Sequence, residues 1–294
     1  MNEARRGILH GALAYGLWGA VPAFWKLLGE LPALELLGHR VVWGLLTLLA
    51  LTAATGKLAA TWRALRDRRV LLTMAASSIL LSINWGTFVY AVSESRLLEA
   101  SLGYFINPLV SVALGVIVLG ERLRRAQKIA IAFAALGVTV LAIQRGQPPV
   151  LALVLAGTFG VYGLVRKTAK IESLAGTTVE TGLMLPPALL LLGWLFAHDQ
   201  GALTHASLAI HLLLVATGVV TAVPLLLFTS AARRLPLSTV GFLQYLAPTG
   251  QFLLAVLVYG EPFSTATLGA FAIIWTGLAV FSYDAWTRSA SSTR

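Results

Sequence analysis

Ten stretches of the chain, at residues 7–28, 33–55, 70–92, 97–119, 128–144, 149–166, 176–197, 207–230, 237–259 and 265–286, are apolar almost throughout, and short polar segments separate them. A helix needs about 20 residues to cross a bilayer, and each run approaches or exceeds that length. The runs are continuous, whereas barrel strands alternate over about ten residues, so the pattern predicts helices. The expected fold is therefore an all-α integral membrane protein with ten transmembrane helices. The first run follows Arg5 and Arg6 as a signal peptide would. It carries Lys26 near its end, lacks a small-residue cleavage site and precedes nine further runs, so it reads as the first span. The longest connection, Gly56 to Arg69, is read as a loop too short to form a soluble domain.

Composition agrees with this reading. Of 294 residues, 57% are hydrophobic and 12% charged, against about 25% charged in soluble domains. With the N-terminus in the cytoplasm, all but four of the 22 Lys and Arg residues fall on inner segments; Lys26, Arg96 and Arg145 lie outside and Arg40 lies within the second span. The positive-inside rule then sets both termini in the cytoplasm. The net charge of +10 is accounted for by topology rather than by a nucleic-acid surface, because the cations punctuate apolar spans instead of clustering. The chain has no Cys, which excludes disulfides, thiolate metal sites and cysteine nucleophiles. His198, His205 and His211 lack metal-ligand spacing, and no metal or cofactor is expected.

The chain repeats itself. Residues 97–121 align without gaps on residues 237–261, bringing Pro108 onto Pro248 and Gly120 onto Gly260. With a shift of 141, Gly16–Gly19 falls on Gly157–Gly160 and Lys26 on Lys167. Two five-helix halves follow, 1–145 and 146–294. Because five is odd, the second half enters from the opposite side, so the halves are inverted about an axis in the membrane plane, a transporter architecture.

The runs GLWG at Gly16–Gly19, GHRVVW at Gly38–Trp43, LEASLGYFINP at Leu98–Pro108, LGER at Leu119–Arg122 and YGLVRK at Tyr162–Lys167 resemble the RarD branch of the EamA-type drug/metabolite transporters. Val223–Leu225, Leu237–Thr239 and Gly241–Tyr245 extend the resemblance over essentially the whole chain. It implies a ten-helix carrier of the bacterial cytoplasmic (inner) membrane with two inverted EamA repeats, working outward. It does not imply a substrate.

Candidate chemistry lies in two zones. Pro108 and Pro248 each fall about 11 residues into their span, near the bilayer midplane. Each is expected to break its helix and free the carbonyl four residues earlier, of Tyr104 and Gln244. With Asn107 and Tyr245 these form the expected substrate-binding centre. In the outer half, Glu35, His39 and Trp43 share one face of the second span. Arg40 lies too deep to be free, with Glu35 or Glu99 as the expected counter-ion. Asn84 and Trp85 are candidate substrate contacts, and Gly11, Gly16, Gly19, Gly103 and Gly115 are read as close helix contacts.

Glu35, His39 and Glu99 are candidate coupling groups for a proton. His39 reads as the one His well inside a span near other ionisable groups. The repeat pairs Lys26 with Lys167 and Glu35 with Glu180, which predicts an outer gate of Lys26 and Glu35 and an inner gate of Lys167 and Glu180.

No phosphate-binding loop is present, so ATP is not an expected partner, and no metallohydrolase or serine-hydrolase motif appears, so no catalytic residue is assigned. The expected function is secondary transport of a small organic or drug-like solute, with that solute, membrane lipid and a proton as partners and no nucleic acid. A passive channel and an intramembrane enzyme are the alternatives, and oligomeric state stays open.

Overall fold

The computed structural model describes residues 3–29, 31–94, 96–143, 149–260 and 263–291, and among these every regular element is helical. The first half comprises α1 (Glu3–Lys26), α2 (Ala33–Ala54), α3 (Leu58–Arg66), α4 (Arg68–Ser93), α5 (Leu97–Ile117) and α6 (Arg125–Ile143). The second comprises α7 (Val150–Thr168), α8 (Ser173–Ala197), the short α9 (Ala202–His205), α10 (Leu208–Arg234), α11 (Leu237–Gln244), α12 (Leu246–Leu253), a π-helical turn (Leu254–Val258) and α13 (Thr265–Ser291). The boundary expected between 145 and 146 lies outside the described residues, as do Arg145 and Glu261.

Nine helical segments among the described residues are long and apolar enough to cross a membrane, and they coincide with the second to tenth expected spans. The first, α1, is 24 residues long but the least apolar of the ten. The structure adds one helix to the expected spans. The segment after Gly56 contains α3, whose Leu58, Trp62 and Leu65 recur at helical spacing on an exposed face, Trp62 being 58% exposed, while Ala64 packs under α8 against Ala175 and Val179.

Local chemistry fixes the helix ends. The Asp67 carboxylate accepts from the amides of Arg69 (2.9 Å) and Val70 (3.2 Å), capping α4. The fourth and ninth spans end at Gly120 (φ +66°) and Gly260 (φ +61°), in the left-handed region that glycine adopts without strain.

The two prolines behave differently. α5 runs unbroken through Pro108, whereas the chain breaks ahead of Pro248, with α11 ending at Gln244 and Tyr245 leading into α12. Pro248 therefore sits in the first turn of a new helix, where no donor is needed. Pro108 forgoes one bond in a ladder that resumes at once. The expected pair of equal breaks is thus corrected to one.

Helices from the two halves pack in reciprocal pairs. α2 runs antiparallel to α8, since Gly38 faces Leu192 at one end and the Thr52 and Thr178 hydroxyls bond at 3.1 Å at the other. Gly137 abuts the Ala270 carbonyl on α13 and Gly277 abuts the Ala130 carbonyl on α6, contacts that exchange under a shift of 140. Gly11 against Leu243 likewise exchanges with Ala152 against Gly103, and Gly19 against Gly250 with Gly160 against Val110. Contacts of residue i with j repeated as j with i are the mark of a two-fold relation. Close approach through small residues is how helices associate where hydrophobic driving force is absent. Gly115 also makes such a contact, against Glu121 and Ser238; Gly16 does not, having nothing within 4 Å of the position a β-carbon would take.

Candidate functional site

Where the halves meet, α1 and α7 contribute an aromatic cluster. Trp18 meets Phe159 (ring centroids 5.8 Å) and Tyr15 (5.3 Å), and Phe228 of α10 stacks on Tyr162 at 5.6 Å. Beside the cluster, Gln244 Nε2 donates to the Ser111 hydroxyl (2.9 Å) and the Tyr245 hydroxyl donates to the Phe105 carbonyl (3.3 Å), so the break at Tyr245 is held against α5. Two buried side-chain oxygens, Asn107 Oδ1 and Gln244 Oε1, remain without a partner, and the Tyr15 hydroxyl lies against the Gln244 side chain. Orphaned buried groups are costly and rare, about 1–3 kcal/mol each, and call for an explanation such as a ligand or water. Asn107 lies one turn before Ser111, the partner of Gln244, on α5, and Tyr15, which the sequence did not single out, lies beside Gln244.

The outer zone is wired differently from expectation. Glu35 accepts from the Ala202 amide at 2.6 Å, tying α2 to the α8–α10 connection, and His39 Nε2 stands 3.7 Å from its carboxylate without a hydrogen-bond partner. Glu99 pairs with Arg96 (2.6 Å) and accepts from the Leu151 amide (2.8 Å) at the start of α7. Neither carboxylate pairs with Arg40. Its guanidinium lies instead over the rings of Trp85 (4.4 Å) and Trp25 (5.0 Å), with Nε donating to the Thr221 hydroxyl at 3.3 Å. Aromatic faces stabilise a desolvated cation in place of the expected anion.

Tyr104, 6.2 Å from Phe88, neighbours Arg40. The Trp43 ring is half-buried, and its carbonyl accepts from the Thr47 hydroxyl where α10 approaches closely at Gly218. Asn84 donates to the Leu155 carbonyl (2.9 Å) and the Thr158 hydroxyl (3.0 Å), joining α4 to α7. That is the use of an amide as interhelical glue.

The expected gate pairs do not form. Lys26 lies over the Tyr259 ring, 3.6 Å from its centroid. Lys167 donates to the carbonyls of Ala232 and Leu235. Glu180 pairs with Arg166 at 3.5 Å, the two side chains 0% and 1% exposed, and accepts from the Ser77 and Tyr162 hydroxyls. By sequence Arg166 is one of the cations of the inner segments. A carboxylate inside a span demands a cation, and Arg166, one residue before Lys167, faces it.

The segments expected to be cytoplasmic gather at one end of the bundle, where four ties cross the halves: Lys57 with Glu172, Arg234 with Glu3 (2.9 Å), Arg124 with Asp284 (2.8 Å), and Glu121 accepting from the amides of Leu237 (2.6 Å) and Ser238 (2.9 Å). A cleft of about 540 Å³ opens there between α1, α2, α8 and α10, lined by Glu3, His10, Thr55, Glu172, Ser230 and Arg233 among others. His10 bonds Ser230 at 2.7 Å beside Arg234.

Comparison with known proteins agrees with this architecture. The model of the EamA-like transporter family matches the chain twice, at residues 5–143 and 148–283. Protein RarD of Streptomyces exfoliatus is 45% identical, covering 97% of this chain and 90% of that protein. An uncharacterized transporter of Pseudomonas aeruginosa is 47% identical, with 96% and 95% covered. A crystal structure at 23% identity superposes with a TM-score of 0.71 over 93% of this chain and 96% of that one, which shows the shared fold. The chain belongs to the EamA-like transporter family, as a multi-pass membrane protein of RarD type.

Proposed function

We propose that this transporter exports a small organic metabolite or drug-like solute across the bacterial cytoplasmic membrane by alternating access, with both termini in the cytoplasm and the halves 1–145 and 146–294 acting as inverted repeats. The observation that carries the reading is the reciprocal antiparallel packing of the halves around a centre holding the unpartnered buried oxygens of Asn107 and Gln244. Inverted halves give a bundle two related packings, and a solute at their junction meets each side in turn. Arg40, Trp43, Trp85, Tyr104, Asn107, Gln244 and Tyr245 are the proposed solute-facing residues. Asn84 supports them by holding α4 to α7.

The inner-end ties are the proposed inner closure. Partly exposed ion pairs contribute about 0–1 kcal/mol each, so several together hold a closed state that a solute reopens. His39 with Glu35 is the proposed proton-coupling pair, because imidazole exchanges a proton near neutral pH and its distance to a carboxylate changes its proton affinity. Glu99, committed to Arg96 and the α7 amide, is a proposed outer latch. Uptake and efflux of a metabolite panel in proteoliposomes, with and without an imposed pH gradient, test the reading. Saturable, gradient-accelerated flux is expected, and His39→Gln removes the acceleration. Non-saturating, gradient-insensitive flux would point to a channel, and chemical conversion without flux to an enzyme.

A further inference from the structure

Arg40 lies seven residues inside the start of α2, about 10 Å along the helix from its outer end. Trp25 and Trp85 cover its guanidinium at 5.0 and 4.4 Å, and only Nε has an acceptor, the Thr221 hydroxyl. Among the described residues no protein acceptor meets the two Nη atoms and no carboxylate forms an ion pair with Arg40. The two counter-ions expected from the sequence are committed elsewhere, Glu35 to the Ala202 amide and Glu99 to Arg96 and the Leu151 amide. Lys26, next to Trp25 in sequence, also has an aromatic ring as its partner. Among the described residues both cations therefore rest on aromatic rings rather than on carboxylates, at a depth where unbalanced charge is expensive.

Two indole rings against a guanidinium strip water from it while leaving in-plane N–H groups open. That edge matches the two oxygens of a carboxylate, and such paired bonds are the stronger, charge-assisted kind. The three groups around it come from α1, α4 and α10, so both halves contribute. We infer that Arg40 is the anion-recognition group of the solute site, and that the transported solute is an organic anion, a carboxylate on a partly apolar body. This deepens the transporter reading and rests on it. The Trp25 and Trp85 rings flank the cation, and Tyr104 with Phe88 offers further aromatic surface for the apolar body.

The test uses the full-length protein in lipid nanodiscs. Quenching of its tryptophan fluorescence by phenylacetate, phenylbutyrate and benzoate is compared with quenching by the corresponding amides. The carboxylates should bind roughly tenfold or more tightly than the amides. Arg40→Gln should erase the difference and Arg40→Lys should retain part of it. The wild-type comparison needs no variant to fold. Equal affinity for amides and carboxylates, no saturable response to any carboxylate, or an undiminished carboxylate preference in Arg40→Gln would overturn the inference. Counterflow of the same probes in liposomes separates the two readings. Carboxylate-selective binding without flux overturns transport and keeps the anion site, whereas saturable flux of neutral solutes unaffected by Arg40→Gln keeps transport and overturns the anion site.

Discussion

Trp18 and Phe159 occupy equivalent positions in the two halves, 141 residues apart, and they touch each other edge to face, with ring centroids 5.8 Å apart and planes at 78°. Residues related by a two-fold axis touch only where they flank that axis, so this pair marks the line about which the halves are arranged. A double-mutant cycle with Trp18→Ala and Phe159→Ala, read by thermal unfolding in detergent, should give a coupling energy of about 0.5–1.5 kcal/mol beyond the sum of the single losses' independent parts. Additive losses would show that the rings do not communicate.

The seam between α6 and α13 makes a second, symmetric prediction. A β-carbon on Gly137 would come 2.9 Å from the Ala270 carbonyl, and one on Gly277 would come 2.7 Å from the Ala130 carbonyl. Backbone cannot step aside as a side chain can, so Gly137→Val and Gly277→Val should each destabilise the protein by about 1–3 kcal/mol. The two losses should be similar in size. Thermal stability followed by fluorescence-detected gel filtration reads both, and a neutral effect at either position would break the equivalence.

Arg166 and Glu180 are buried together, so removing one strands the other. Glu180→Ala should cost about 3–5 kcal/mol, while the double replacement Arg166→Met with Glu180→Leu should recover most of that loss. Yield of folded protein and melting temperature measure both variants. A double variant no better than Glu180→Ala would mean that the cost comes from lost packing and lost bonds to Ser77 and Tyr162 rather than from a stranded cation.

The spans were legible because continuous apolar runs of bilayer length report a one-dimensional constraint, and the repeat because equivalent glycines must meet equivalent neighbours. What lay beyond reach was pairing in three dimensions. Glu35 and Glu99 read in sequence as partners for Arg40 or Lys26, yet backbone amides at Ala202 and Leu151 occupy them, and backbone donors carry no residue signature. Lys167 drew attention because it aligns with Lys26, whereas the cation facing Glu180 is its neighbour Arg166; a shift of one residue turns a helix position by about 100°. Pro108 and Pro248 align without a gap, but only the helix holding Pro248 is interrupted, since the break depends on whether a new helix starts ahead of the proline. The α3 helix was legible in principle, because Leu58, Trp62 and Leu65 have helical spacing within the cationic segment.

Alternating access requires the inner closure to open and shut in every cycle, and the Lys57–Glu172 tie crosses the halves at that end. The chain has no Cys, so Lys57→Cys with Glu172→Cys gives a single addressable pair. Bridging it with a short bis-methanethiosulfonate, whose disulfide links are reducible, and measuring solute counterflow in proteoliposomes before and after reduction tests the mechanism most directly. The bridged protein should carry no flux, and reduction should restore the rate of the unbridged variant. Unchanged flux through fully bridged protein would contradict alternating access.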